Sequence, residues 1–377
     1  MANNDSFNDD ASNSEQELDL REQLLSCHDK SNRKMMCELF DMKAGKFISA
    51  SQISNVKTDI FQYPCYGGNG LRGYVAKNNK DGEYVLVGRQ GALCGNVCYV
   101  NESFYATEHA VVVADKGFCI PRYTFHLLTF ADLNQYKTSG AQPGLSVSRL
   151  EKIELYVPSL ERQQAIVDIL DTFTDAISNL EEELALREKQ FEFYREQLLS
   201  CHDTSNRKMM CELFDMKAGK FISASQISNV KTDVFQYPCY GGNGLRGYVA
   251  KNNKDGEYVL VGRQGALCGN VCYVNESFYA TEHAVVVADK GCCIPRYTFH
   301  LLTFADLNQY KTSGAQPGLS VSRLEKIELY VPSLKRQQEI VEILDTFEAM
   351  IANIKEEIAL RTKQYEYYRE KLLSFGK

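Results

Sequence analysis

The chain repeats itself once, almost without change, and this constrains its fold more than any other feature. The stretch beginning at Arg21 returns from Arg195, displaced by 174 positions, and REQLLSCHD opens both copies. Between residues 21 and 160 three positions differ from the second copy: Lys30 against Thr204, Ile60 against Val234 and Phe118 against Cys292. Solenoid repeats run roughly 20–50 residues, so a unit this long is a domain in its own right. Two near-identical domains in one chain do the same job twice. After Leu160 the copies diverge while keeping their apolar spacing.

Each copy has two parts. Residues 27–160 and 201–334 are punctuated by Gly, Pro, Asn and Asp and carry β-rich runs such as Tyr84–Val87, Val97–Val100 and Ala110–Val113. Pro121 precedes a stretch, Tyr123–Tyr136, that reads as helical. The second parts, 161–200 and 335–377, hold no Gly or Pro before Gly376. Their apolar positions are Ile166, Leu170, Phe173, Ile177, Leu180 and Leu184, then Ile340, Leu344, Phe347, Ile351, Ile354 and Ile358. Steps of four and three make a heptad seam, interrupted once in each copy by Arg187 and Arg361. The spacing predicts two helices of roughly 60 Å at ~1.5 Å per residue, packed as a coiled coil. The second helix must run back antiparallel to the first, which inverts the second domain relative to the first. Each seam arginine is expected to pair with a glutamate across the seam and fix its register. Ile169, Phe193, Ile343 and Tyr367 fall outside the seam and read as a docking face. The competing reading lays each helix on its own domain. Glu17, Leu20 and Leu24 align with Phe191, Tyr194 and Leu198, so 14–26 reads as a partial helix copy and 1–13 as a disordered tail.

The fold class expected is therefore mixed α/β (α+β). Two strand-rich globular domains are separated by two long antiparallel helices in a pseudo-two-fold coiled coil.

The net charge of −7 hides its distribution. The first globular part carries +3, the second +2, the linking helix −6, the last helix zero and the first 26 residues −6. Mildly basic globular parts permit phosphate binding without requiring it. No apolar run approaches the ~18–20 residues that span a bilayer, and the acidic start is no signal peptide, so the chain reads as cytoplasmic. The 13 cysteines read as reduced, mostly buried thiols.

The run Gly67-Gly68-Asn69-Gly70-Leu71-Arg72-Gly73 lacks the Lys-Ser/Thr of a P-loop. It reads as a turn between strands, or as a DNA-facing loop in which Asn69 and Arg72 reach bases or phosphate. Arg pairs with guanine and Asn with adenine in the major groove. Lys43, Lys46, Lys77, Asn78, Asn79 and Lys80 are loop candidates for phosphate contacts. Arg89 and Gln90, at a strand end, are candidates for base reading. Their counterparts are Lys217, Lys220, Asn243, Arg246, Lys251, Asn252, Asn253, Lys254, Arg263 and Gln264. Cys94 and Cys98, with Cys65 and His109, invite a zinc site, but the strand between them favours buried thiols, so no metal is assigned. His126, among Phe125, Leu127 and Leu128, reads as a packed core histidine. No Asn/Asp-Pro-Pro-Tyr/Phe motif, S-adenosylmethionine loop, carboxylate pair or nucleophile triad is present, so the chain reads as no enzyme.

The stretch SGAQPGLSVSRLEKIELYVPSLERQQAIVDILD (139–171) has a Leu-Ser turn, an apolar strand ending in Val-Pro and a Gln-containing helix start. With YPCYGGNGLRGYV (63–75) and the domain–helix–domain–helix order, it resembles the specificity (S) subunit of type I restriction-modification systems. The resemblance covers about residues 20–375. It implies a non-catalytic subunit whose two target-recognition domains read a bipartite sequence in double-stranded DNA. It further implies helices that dock two methyltransferase (M) subunits, with restriction (R) subunits able to join. S-adenosylmethionine would sit on M, ATP and Mg on R, and no cofactor on this chain. The family's two domains are usually dissimilar. Here they match, so a palindromic bipartite target is expected. The alternative is a structural coiled-coil spacer presenting two identical protein- or peptide-binding domains.

Overall fold

A computed structural model describes residues 33–91, 93–138, 144–200, 207–265, 267–312 and 318–374. The expected tail at 1–13 and partial helix at 14–26 lie outside the described residues. The chain divides into two compact units. One takes the residues up to Leu180 together with those from Glu357 onward, the other Glu181–Glu356.

In the first unit the elements are β1 (Arg33–Met35), α1 (Met36–Leu39), β2 (Phe40–Ala44), β3 (Tyr63–Gly67), β4 (Gly70–Val75), β5 (Glu83–Gly88), β6 (Val97–Asn101), β7 (Tyr105–Ala106), β8 (Ala110–Asp115), α2 (Pro121–Phe130), α3 (Val147–Leu150), β9 (Glu154–Tyr156) and α4 (Leu160–Leu199), which continues into the second unit. Four antiparallel strands form one sheet in the order β2-β8-β5-β6. A smaller sheet, β4-β3-β7, joins an antiparallel hairpin to a parallel strand. β1 and β9 make a two-stranded ribbon.

Alternation along β5 and β8 explains the layers. Val85, Val87, Val111 and Val113 point one way, into a core with Tyr123, Leu127 and Leu128 of α2 and Ile166, Leu170 and Phe173 of α4. Leu86 and Val112 point the other way, onto Phe104 and Ala106. Helix α2 starts with Pro121 in its first turn and stops at Asp132, whose φ of 44° is left-handed. The expected stretch to Tyr136 is therefore a helix, a break and a short 3-10 turn at Leu133–Tyr136.

The second unit repeats this order as β10 (Arg207–Met209), α5 (Met210–Leu213), β11 (Phe214–Ala218), β12 (Tyr237–Gly241), β13 (Gly244–Val249), β14 (Glu257–Gly262), β15 (Val271–Asn275), β16 (Tyr279–Ala280), β17 (Ala284–Asp289), α6 (Pro295–Phe304), α7 (Val321–Leu324), β18 (Glu328–Tyr330) and α8 (Leu334–Leu373). Its sheets run β11-β17-β14-β15 and β13-β12-β16.

The mixed α/β class holds, with two strand-rich domains and two 40-residue helices. The seam behaves differently along its length. Ile166, Leu170, Phe173, Ile340 and Leu344 are buried in the globular cores. Ile177, Leu180, Leu184, Phe347, Ile351, Ile354 and Ile358 are only half-buried. Both sequence readings thus hold in part: each helix start lies on its own domain, and the seam also meets a second helix. In the first unit Phe173 stacks on Tyr368 of α8 at 5.2 Å. In the second, Tyr194 stacks on Phe347 at 5.3 Å and Lys355 pairs with Glu188 at 2.8 Å, so α4 and α8 run antiparallel there.

Two expectations are corrected. Arg187 and Arg361 bond along their own helices, to Glu183 and Gln190 and to Glu357 and Gln364. Their long side chains stay partly exposed, and among the described residues neither has an ion-pair partner on the facing helix. Ile169, expected on the surface, is buried against the first core, whereas Phe193, Ile343 and Tyr367 are exposed.

A polar clamp holds each long helix to its domain. Gln163 is fully buried at the start of α4. Its Oε1 accepts from Ile120 N–H at 2.8 Å, and its Nε2 donates to Phe118 O and Pro158 O at 2.9 Å. Gln337 repeats this in α8. Two turns on, Asp171 meets His126 Nε2 at 2.7 Å and Arg122 Nε at 2.9 Å. Burial alone would raise the Asp171 pKa, but the hydrogen bonds from His126 and Arg122 outweigh it and hold the carboxyl below its ordinary range. His126 is a core histidine, as its apolar setting predicts, with Asp171 as an added hydrogen-bond partner.

Candidate nucleic-acid interface

A register shift between Cys65 and Tyr66 interrupts the regular pairing of the β3–β4 hairpin, which resumes to Gly67 and Gly70. Gly70 turns it with a φ of 85°, which favours glycine. The turn after β5 lies beside it, because any side chain at Gly88 would meet Gly68 O at 2.0 Å. A third turn, Thr107–Ala110, links β7 to β8. Arg89 N donates to His109 O and Leu145 N to Arg89 O, which binds these turns to the loop at Gly144. Between them lies a cleft of ≈ 620 Å³ lined by Asn69, Leu71, Arg72, Gln90, His109 and Gly144, among others.

The glycine run is thus a strand-connecting turn and a wall of the cleft at once. Asn69 and Arg72 are exposed on it, as are Asn243 and Arg246 on the matching hairpin. Gln90 is exposed at the rim, and its Oε1 lies 2.8 Å from His109 Nδ1. His109 Nε2 lies 3.1 Å from Glu108 Oε1. Beneath, the buried Cys65 thiol is pushed up to about 11 by burial, offset by nearby Arg72 and reinforced by Glu108.

The remaining candidates fall into two groups. Lys43, Lys46 and Lys77, with Lys217, Lys220 and Lys251, are exposed, and among the described residues none has an ion-pair partner. Other candidates are engaged with the fold. The amide of Asn79 brackets Ala106, donating to its carbonyl at 3.0 Å and accepting from its N–H at 2.8 Å. Asn253 does the same at Ala280. Asn78 and Asn252 cap local turns on Lys80 O and Lys254 O. Lys80 and Lys254 lie over the rings of Tyr84 and Tyr258. Arg89 is half-buried with Nη1 on Glu108 O, and Arg263 repeats this at Glu282.

Cys65, Cys94 and Cys98 belong to three separate apolar clusters and do not converge. Among the described residues, His300, Asp345 and Glu348 lie close enough to hold a metal ion. Arg296 donates to both carboxylates, at 2.9 and 2.5 Å, and supplies there the positive charge a metal would bring. Burial lowers the His300 pKa, although Asp345 and Glu348 act against it.

Sequence reasoning missed the Glu108–His109 pair as part of the cleft. Nothing in the pattern Tyr-Ala-Thr-Glu-His marks it; only the order of the two sheets brings that turn beside Gln90.

The family model for the type I restriction modification DNA specificity domain matches residues 31–187 and again 206–360. The chain belongs to this family. The EcoprrI type I restriction enzyme specificity subunit of Escherichia coli is 46% identical over 205 residues, covering 52% of this chain and 51% of that one. The chain thus spans about half the length of that relative. A putative type I restriction enzyme specificity subunit of Haemophilus influenzae is 29% identical over 341 residues, covering 83% of this chain and 88% of its own. The crystal structure of a type I restriction-modification S subunit from M. genitalium shares the fold, with a TM-score of 0.71 at 17% identity over 94% of this chain and 99% of that one. Among the described residues no helix is long and apolar enough to cross a membrane.

Proposed function

We propose that this chain is the non-catalytic DNA-reading subunit of a type I restriction-modification complex, and that it reads a bipartite palindrome. One observation carries the reading. Both units present the same exposed Asn, Arg, Gln and Lys side chains at the same places in the fold, without a single substitution among them. Identical reading surfaces select identical half-sites, and the inversion expected of the matched helical seams turns two such half-sites into a palindrome. Arg72, Asn69 and Gln90 read base edges, while Lys43, Lys46 and Lys77 contact phosphates. The helices dock two M subunits, which bring S-adenosylmethionine, and R subunits join with ATP and Mg. The protein works in the cytoplasm.

Co-expression with the neighbouring M subunit, followed by long-read mapping of methylated positions, tests this. A bipartite palindrome is expected. An asymmetric motif overturns the equivalence of the two units. A stable complex that methylates nothing and binds duplex without salt dependence favours the protein-spacer reading.

A further inference from the structure

One short sequence occurs three times: REQLLS at 21–26, REQLLS at 195–200 and REKLLS at 369–374, each 174 positions after the last. In the second unit this sequence ends α4 and seals the core. Leu199 is 2% exposed and joins the cluster of Leu301, Ile327 and Leu329, with Leu198 packed against it. In the first unit the equivalent socket, at Leu127, Ile153 and Leu155, is sealed by Leu372 and Leu373 from the end of α8. Arg33, the first residue of β1, lines a groove of ≈ 230 Å³ together with Leu127, Tyr156, Leu373 and Ser374. The chain therefore enters β1 beside the socket. Leu25 precedes Arg33 by eight residues, as Leu199 precedes Arg207. Leu199 shows that a connector of this length reaches, and the two connectors differ only at Lys30 and Thr204. The chain thus holds three plugs for two sockets.

We propose that the socket of the first unit is an exchange site, and that residues 17–26 of the same chain are its second ligand, competing with the end of α8. Both plugs bring the same pair of leucines. The α8 plug adds Tyr368, stacked on Phe173 at 5.2 Å, where the N-terminal copy has Leu20, and Tyr365 where it has Glu17. The aromatic stack favours α8, so α8 holds the socket and 17–26 takes it when the end of α8 withdraws. The last turns of α8 can then leave while the core of the first unit stays sealed.

Hydrogen exchange of the full chain, read by mass spectrometry, tests this in Leu372→Asp/Leu373→Asp and in the milder Tyr368→Ala. Peptides spanning 18–26 should exchange roughly ten-fold more slowly in the double variant than in the wild type, and by a smaller factor in Tyr368→Ala. The urea midpoint of the first unit should fall by less than about 0.5 M, because one plug replaces the other. Leu24→Asp/Leu25→Asp should be silent by itself. Combined with Leu372→Asp/Leu373→Asp, it should abolish the protection and lower the midpoint by a further 1 M or more, roughly the scale of exposing two buried leucines. Exchange of 18–26 that is the same in the wild type and both α8 variants overturns the proposal. So does a first unit unfolded by Leu372→Asp/Leu373→Asp, or losses from the two leucine pairs that simply add. Protection of 18–26 that appears only with dimerisation, seen by size-exclusion chromatography, gives the socket to a second copy and overturns it too.

Discussion

The Gln163 clamp offers the sharpest test of how the long helix is fixed to its domain. Replacing Gln163 by Leu keeps volume and burial but removes three hydrogen bonds of 2.8–2.9 Å. Ile120 N–H loses its acceptor at the helix entry, and the buried Pro158 loses a donor to its carbonyl. Phe118, whose carbonyl loses the third bond, is 41% exposed, and an unpaired carbonyl costs least at such a site. Each buried group left unpaired costs ~1–3 kcal/mol, and two such groups give about 3 kcal/mol for the first unit. At a urea slope of ~2–3 kcal/mol per molar, the first unit's midpoint falls by about 1 M. The chain has no tryptophan, so far-UV circular dichroism is the readout. Because only one unit carries the lesion, a single transition should split in two. Gln337→Leu should reproduce the effect in the other unit. A midpoint that moves less than about 0.3 M would mean the clamp contributes little and that apolar burial of Ile166 and Leu170 alone seats the helix.

Other outcomes follow from the same geometry. The Arg187→Leu and Arg361→Leu double variant should change stability by less than about 0.5 kcal/mol, since exposed same-helix pairs contribute little; a larger loss in urea melts would reinstate a buried role. Gly88→Ala should destabilise the first unit by about 1–3 kcal/mol or more through overpacking, because the added carbon would sit 2.0 Å from Gly68 O; a melting temperature equal to wild type would contradict the close approach of the two turns. His300 has a folded-state pKa below 6.5, so the unfolded chain takes up its proton first and stability drains away as pH falls below about 6.5. His300→Gln should flatten that loss between pH 7 and 5. Asp171, held below its ordinary 3.8, adds a second loss only below about pH 4. Neutralising Lys43 and Lys46 to Gln should weaken duplex binding for all sequences alike and reduce the slope of log affinity against log salt by ~0.9 for each phosphate no longer neutralised; an unchanged slope would remove them from the interface.

The repeat, the strands at Tyr84–Val87, Val97–Val100 and Ala110–Val113, and both long helices are legible because each rests on periodicity, which sequence carries directly. The seam arginines mislead for a related reason. Periodicity assigns a position to a face but says nothing of where a long side chain ends, and Arg187 reaches Glu183 and Gln190 beside it. The cleft is only half legible. Asn69, Arg72 and Gln90 stand out as polar residues in turns, yet Glu108, His109 and Gly144 do not. Their meeting depends on strand order, with β8 placed beside β5 and β7 beside β3. Asn79 shows the converse: it shares the composition of a binding loop, but its amide is committed to Ala106.

The three differences between the copies bear on whether the units read alike. Lys30 and Thr204 lie outside the described residues. Ile60 and Val234 are exposed loop residues, and Ile60 is not among those that line the cleft of its unit. Phe118 lies under Lys34 Nζ at 3.9 Å and beside the Gln163 clamp; Cys292 at the same place keeps the clamp's carbonyl but offers no ring. The changes thus touch scaffold and surface. Divergence concentrates instead in the long helices, where Thr174 in one becomes Glu348 in the other and gives His300 a second carboxylate neighbour that His126 lacks. If the units read unequally, the cause lies with the divergent helices that hold them or with Lys30 and Thr204, rather than with the reading turns, whose sequences are identical. Exchanging residues 161–200 for 335–374 in a chimera should therefore leave each half-site's bases unchanged, and a changed base in the mapped motif would refute this division between reading turns and holding helices.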